Sequence, residues 1–300
     1  MKKVLINKIV GTLGLVLFLS IVVHYTRPKK DYSKLEYDWF WTKKTHFSKS
    51  NNIVFLGDSR TYRGISTESV KSEFPNQKVL NLGYSSGGLN KYMFDVAYSL
   101  LNKKEDLKVI VLGVTPFSLT EEVRKNEHYK QELGRPLADL IERNYVNPFL
   151  SDFESISLSD YRTESDRVFY PQVFHENGWV ESYKIPENKR DALSSYRKTF
   201  SETVLSEKSV SETLSFVSEM KNKGVKVYGF RPPSSKEMEK LENELSGFDE
   251  NEFITIFEES GGVWINISDR FSFDSYDGSH LHYQSAKDLS LILAQKMKQK

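Results

Sequence analysis

The sequence has no cysteine. That excludes disulfide staples, attachment to lipid through a cysteine thiol, and thiolate metal sites. It has no excess of charge either: 42 basic residues against 41 acidic ones leave a net charge of +1. No global field draws such a chain to nucleic acid, and nucleic acid is not expected as a partner. The six histidines (24, 46, 128, 175, 280 and 282) include no i, i+4 pair, so no metal is expected. The glycines at 83–88 fit neither a Walker-type nor a dinucleotide loop, so no nucleotide cofactor is expected. Internal repeats and low-complexity tracts are absent.

Apolar residues are plentiful. They make up 38% of the 300 residues, with 13% aromatic, enough for the core of one large domain. Residues 9–26 carry no charge; Lys2, Lys3 and Lys8 precede them, and Arg27, Lys29 and Lys30 follow. That is about the length of the shortest bilayer-crossing helices, and Lys8 and Arg27 can snorkel to the interfaces. No small-x-small cleavage site precedes Arg27, so residues 1–27 read as an uncleaved, single-pass anchor, with a cleaved signal peptide as the alternative. A short tail ahead of the segment and a large domain behind it place the domain outside the cytoplasm, periplasmic or at the cell surface. Residues 28–50 read as a polar linker. Its cluster Tyr37-Asp-Trp-Phe-Trp41 suits either the membrane interface or the base of the domain.

From residue 51 onward, short apolar runs alternate with helical patterns. Strands are expected at 53–56, 79–82, 109–113, 225–230 and 262–265. Helices are expected at 67–74 with Thr67 as cap, at 89–101, after a Ser209-x-x-Glu212 capping box, at 235–245 and at 284–298. This alternation predicts an α/β domain of parallel βαβ units over 51–300. Residues 118–205 break the rhythm. They are expected to be a mostly helical insertion that either shapes the site or lies at the periphery.

The stretch Ile53-Val-Phe-Leu-Gly-Asp-Ser59 stands out. A serine just past a buried strand sits where open α/β sheets place their chemistry, which makes Ser59 a candidate nucleophile. A nucleophilic serine needs a base and a group that orients the base. Asp277-x-x-His280, before the last helix, supplies both residue types. His282 is a rival base, because in an extended segment it shares a face with His280. Arg60 and Arg231 follow predicted strands at the carboxyl end of the sheet. There a guanidinium binds an acidic glycan or aids an oxyanion, or else serves a structural ion pair. His175 and Trp179 offer either a sugar-stacking surface or core packing.

Gly57-Asp58-Ser59 after the first strand, the glycine-bearing loop at 83–88, the loop after the third strand and Asp277-x-x-His280 resemble the SGNH (GDSL) hydrolase superfamily over about residues 51–298. With its Gly-Asp-Ser-Arg60, its Arg231-Pro-Pro and its anchor, the chain is similar to membrane-anchored bacterial SGNH-like proteins. Some of these O-acetylate or de-esterify cell-surface polysaccharides. The resemblance implies a flavodoxin-like three-layer α/β/α sandwich and serine-dependent ester chemistry without a cofactor. It implies Ser59 as nucleophile, His280 as base and Asp277 as the group that orients it. The implied oxyanion donors are the backbone N–H of Ser59 and one at Ser86 or Gly87. The family's third donor is an asparagine, but Thr115 stands there. The implied substrate is an acyl ester of a surface glycan. A transferase would also need a membrane partner that passes acyl groups outward. The missing asparagine leaves a second expectation: a catalytically weak or inactive domain that binds glycan or scaffolds an envelope complex.

Overall fold

The computed structural model describes residues 2–26, 37–85, 87–147, 150 and 169–299. The chain divides into two compact units, residues 1–32 with 135–167, and residues 33–134 with 168–300. In the first unit α1 (Lys2–Thr26) is one uninterrupted helix. Its segment Ile6–Val23, 18 residues, is long and apolar enough to cross a membrane. Ile9, Leu13, Val16 and Leu17 on it are exposed. The same unit holds a short helix, Leu137–Ile141, that continues into a π-helical turn at Glu142–Val146.

The second unit is built on a five-stranded parallel sheet. Its strands are β1 (Ile53–Gly57), β2 (Val79–Asn81), β3 (Val109–Gly113), β6 (Lys226–Phe230) and β7 (Val263–Trp264), in the order β2-β1-β3-β6-β7. An antiparallel hairpin, β4 (Gln172–Phe174) and β5 (Val180–Ser182), stands apart from this sheet. β1 is buried along its whole length because it pairs on both edges, with Val54 opposite Leu80 and Ile110. Such a strand needs apolar side chains on both faces, which is why 53–56 is a continuous run instead of an alternation.

Alternate residues of the strands feed two separate cores. Val54, Leu56, Ile110, Leu112 and Val227 pack with α5 (Lys91–Leu100) and α7 (Glu207–Asn222), through Phe94, Ala97, Phe216 and Val217 among others. Ile53, Phe55, Val109, Val111 and Phe230 pack with α4 (Thr67–Glu73) and α10 (Tyr283–Gln299), through Val70, Ala286, Leu289 and Leu293. Each fully buried side chain of this size contributes about 1.5–3 kcal/mol relative to exposure. The remaining elements used below are α2 (Tyr37–Lys44), α3 (Ser59–Gly64), α6 (Leu193–Glu202), α8 (Lys236–Ser246) and α9 (Glu250–Glu259).

Several local expectations shift. Residues 37–44, expected as linker, form α2, and Phe40 and Trp41 are buried in the core beside Phe174 and Tyr62. Of that aromatic cluster only Tyr37 and Trp39 stay exposed. The caps sit earlier than predicted: Ser66, not Thr67, caps α4, and Ser206, not Ser209, caps α7. Ser209 is buried and donates to the Thr120 carbonyl, while Glu212 faces Arg124 at 3.5 Å. Within 118–205 the described residues include the β4–β5 hairpin as well as helices. α9 had no counterpart among the predicted elements.

Candidate active site

Strand order reverses between β1 and β3. The connection from β1 leads to β2 on one side, and that from β3 leads to β6 on the other. In open α/β sheets the crevice at the carboxyl end of this switch point receives ligands. Ser59 lies there, as the first residue of α3. Asp58 caps that helix: its Oδ1 accepts from the Arg60 N–H at 2.9 Å. Gly57 permits the abrupt turn, since a Cβ there would lie 2.1 Å from Thr61 Oγ1.

His280 arrives from the other end of the unit. The segment after β7 forms a tight turn in which Asp277 Oδ1 accepts from the backbone N–H groups of Ser279 (2.8 Å) and His280 (2.7 Å). The second oxygen, Oδ2, meets His280 Nδ1 at 2.7 Å. The far nitrogen, Nε2, meets Ser59 Oγ at 2.9 Å. An Asp-x-x-His spacing thus lets one carboxylate shape its own turn and orient the imidazole. Ser59 and His280 are both partly exposed, so a substrate can reach them. With Nδ1–H donating to Asp277, Nε2 is left as the acceptor for the serine proton.

Burial pushes Asp277 up, but hydrogen bonds from the His280 ring and from the two backbone N–H groups win, and its carboxyl sits well below the usual range. His280 is held below its usual 6.5, first by burial and then by the Arg63 guanidinium, against the pull of Asp277. A depressed imidazole is neutral at pH 7, the form a general base requires. His282 makes none of these contacts. Its Nδ1 accepts from the Gln284 N–H at the start of α10, a helix-end role.

The Ser59 backbone N–H has no hydrogen-bond partner among the described residues and belongs to the first turn of α3, where such donors are free. Gly87 belongs to the loop that packs against the end of β1. Tyr84 N donates to the Gly57 carbonyl at 2.9 Å, and Gly88 (φ +111°) lies so close that a Cβ would meet that oxygen at 2.0 Å. Ser86 lies outside the described residues. The pentapeptide Gly83-Tyr-Ser-Ser-Gly87 spells Gly-x-Ser-x-Gly, but Ser85 sits in a loop and α5 begins only at Lys91. It is therefore no strand-to-helix elbow.

Three expected site residues take other positions. Thr115 is fully buried and donates its one hydroxyl proton to Asp58 Oδ2 at 2.7 Å, so it has none for an oxyanion. Asp58 is thereby satisfied, although burial still raises its pKa. Arg60 and Arg231 do not line a substrate surface. Both are only 3% exposed, and both bind the buried Glu242 of α8. Arg60 meets it at 2.8 Å and Arg231 at 3.2 Å. Arg231 also pairs with Glu250 at 2.9 Å. The chance of meeting a carboxylate inside the fold was visible for both arginines, but the partner, Glu242, was not. His175 and Trp179 stack on each other and are buried, with Trp179 Nε1 donating to the Arg63 carbonyl.

Residues that sequence reasoning missed complete the surroundings. Tyr276 stacks over His280 at 5.9 Å between ring centroids and 19° between planes. Arg63 donates to the Tyr276 hydroxyl at 2.9 Å. Ser279 accepts from Arg60 Nε and donates to Tyr196 of α6. The i, i+4 spacing of Ser59 and Arg63 was the available signal for Arg63. No signal pointed to Tyr196, which comes from the insertion. Among the described residues no cluster of histidine and carboxylate suits a metal. A groove of about 460 Å³ between α7 and α9, lined by Leu205, Val210, Leu214 and Phe253, contains none of the residues above. No protein-family model matches the chain, and no curated protein does.

Proposed function

We propose that this chain is a serine-dependent acyl-ester enzyme of SGNH type, a transferase or esterase acting on a cell-surface polysaccharide. The observation that carries the reading is the hydrogen-bonded chain Ser59 Oγ–His280 Nε2–Asp277, with steps of 2.9 and 2.7 Å. Nucleophile, base and orienting carboxylate meet at the switch point of a parallel sheet, which is the arrangement acyl transfer requires. The sheet order supports the same reading. With the hairpin set aside, β2-β1-β3-β6-β7 is the 2-1-3-4-5 order of flavodoxin-like sheets.

The reaction runs in two halves. Ser59 Oγ attacks the ester carbonyl while its proton passes to His280 Nε2. Asp277 holds Nδ1–H and steadies the imidazolium that forms. The carbonyl oxygen, now an oxyanion, takes the Ser59 N–H and a second backbone donor from the loop holding Gly87. Collapse of the tetrahedral species breaks the bond to the alcohol oxygen, which leaves with the proton from His280. An acyl-serine remains. A sugar hydroxyl or water then gives its proton to His280, attacks the acyl carbon and restores Ser59. The acceptor decides between transfer and hydrolysis. A transferase would need an acyl donor, and a membrane protein that passes acyl groups outward would supply it. The apolar helix α1 supports tethering to a membrane, and we place the domain on its extracytoplasmic side.

One observation favours a second reading. Thr115 cannot act as the third oxyanion donor, and loss of one such donor commonly costs about 10²–10³ in rate. A weakly active or inactive domain that binds glycan fits that feature. The full-length chain in detergent, incubated with an aryl acetate with and without an oligosaccharide, separates the readings. Acetylated sugar supports transfer and free acetate alone supports hydrolysis; turnover no faster than in Ser59→Ala contradicts both.

A further inference from the structure

Three arginines stand near the carboxyl end of the sheet, and they differ in how their charge is met. Arg60 and Arg231 share the Glu242 carboxylate. Arg63 has no carboxylate within ion-pair distance among the described residues. Its contacts are neutral: Nη1 donates to the Tyr276 hydroxyl at 2.9 Å, and the guanidinium lies 5.3 and 5.6 Å from the rings of Tyr62 and Tyr170. Its Nε is buried with no hydrogen-bond partner among the described residues. A guanidinium drawn out of water without an anion is held at a cost, which a bound anion would offset.

The location of that cation is specific. Arg63 follows Ser59 by four residues on α3, so the two share a face of the helix. Helical side chains lean toward the N-terminus, which carries Arg63 back over the turn that holds Ser59. Tyr276, its hydrogen-bond partner, stacks on His280. The Tyr276 hydroxyl also meets the Tyr170 hydroxyl at 3.0 Å and Ser182 Oγ at 3.2 Å. Trp179 Nε1 donates to the Arg63 carbonyl at 3.0 Å and fixes the backbone beneath it. A cation and a group of hydroxyls are thus gathered beside the nucleophile and base. Arg63 is partly exposed and Tyr170 exposed, so both remain reachable, while Tyr276 is buried and holds Arg63 in place.

We propose that Arg63, held by the Tyr276 hydroxyl, forms with the Tyr170 hydroxyl an anion subsite beside Ser59, and that the substrate carries a negatively charged group next to its ester. Guanidinium and hydroxyl donors together suit an oxyanion with two or more oxygens, a sugar carboxylate or a phosphate. The inference rests on Ser59 being the nucleophile. It moves recognition of an acidic glycan from Arg60 and Arg231, which are neutralised inside the fold, to Arg63.

The test uses the full-length chain in detergent and three matched esters: O-acetylated methyl glucoside, O-acetylated glucuronate and O-acetylated glucose 6-phosphate. The readout is the ratio of kcat/KM for each charged ester to that for the neutral one. The wild type should favour at least one charged ester by about 10- to 100-fold, chiefly through KM. Which charged ester wins distinguishes carboxylate from phosphate. Arg63→Gln should bring the ratio close to one, and Arg63→Lys should keep part of it, because charge survives but the planar fork does not. Taking ratios cancels any general effect of the change on His280, and thermal melting of each variant reports folding. A wild-type ratio near one overturns the proposal. So does an equal loss on all three esters in Arg63→Gln, which would assign Arg63 to the oxyanion instead. Should the wild type turn over no ester and Ser59 resist a fluorophosphonate, the ester reading fails by itself. Calorimetric titration with glucuronate and with inorganic phosphate then decides the subsite: binding lost in Arg63→Gln upholds it, and no binding by the wild type overturns it.

Discussion

Arg60 Nε donates to Ser279 Oγ at 3.0 Å, across 219 residues of sequence. The residue after Ser59 is thereby bonded to the residue before His280. Arg60 ties these two segments together, locked from behind by Glu242 and covered by the ring of Tyr196 at 5.1 Å. Arg60→Ala leaves the Glu242 carboxylate buried with one cation fewer. Removing one partner of such a buried pair costs about 3–5 kcal/mol. Urea unfolding should show that loss, and the fraction that stays folded should label more slowly with a fluorophosphonate. A midpoint equal to that of the wild type would show that the pair bears little of the fold.

The pH dependence follows from two depressed groups. His280 lies below 6.5 in the folded chain, so its imidazole stays neutral to lower pH than an ordinary histidine. The acid limb of kcat/KM should therefore inflect below 6.5. The groups around the imidazole are Asp277, Ser59, Tyr276, Arg63 and Arg60. Arg63→Gln removes a positive charge and should move the limb upward. Stability changes in step. The unfolded chain binds more protons at both sites, so the fold loses stability as pH falls from 6.5 through the lowered pKa of His280. It loses more as pH falls below 3.8 through that of Asp277. A limb above 6.5 in the wild type would contradict this account.

Asp277→Asn retains the shape of the turn and removes the charge that orients His280. A loss of about 10³–10⁴ in kcat is expected, as the imidazole is freed to adopt the wrong tautomer. Steady-state turnover of an aryl acetate checks it, with acyl-serine detected by mass spectrometry to show which half-reaction slows.

Thr115→Val separates two roles for this position. The hydroxyl belongs to Asp58, so its removal leaves a buried carboxylate oxygen short of a donor and costs about 1–3 kcal/mol of stability. The aryl acetate turnover of the folded protein should fall by much less than the roughly 10²–10³ expected for a lost oxyanion donor. Parallel thermal melts and initial rates give both numbers. A large loss of rate with an unchanged melt would return Thr115 to the oxyanion site.

Much of this was legible because β1 and β3 are buried along their whole length and show as unbroken apolar runs, and β6 is buried from Val227 onward. The Ser59, Asp277 and His280 geometry was legible because each sits at a strand end or in a turn whose residue types are local. For Arg60 and Arg231 an internal ion pair was one of the open readings but its partner was not legible, and neither was the role of Thr115. Whether an arginine meets substrate or Glu242 depends on α8, a helix whose packing the sequence does not reveal. Packing of the 37–41 cluster on the domain was one of two open readings; that it takes Phe40 and Trp41 was hidden for a similar reason, since their partners Phe174 and Tyr62 lie elsewhere in the chain. The earlier caps at Ser66 and Ser206 reflect a plain ambiguity: two hydroxyl residues lay within three positions of each other at both helix starts.

Mass spectrometry of the full-length chain after reaction with a fluorophosphonate tests the central claim most directly. A single adduct on Ser59, absent in Ser59→Ala and at least tenfold slower to form in His280→Ala, is the predicted result. No adduct on Ser59, or labelling that proceeds equally well without His280, would contradict it.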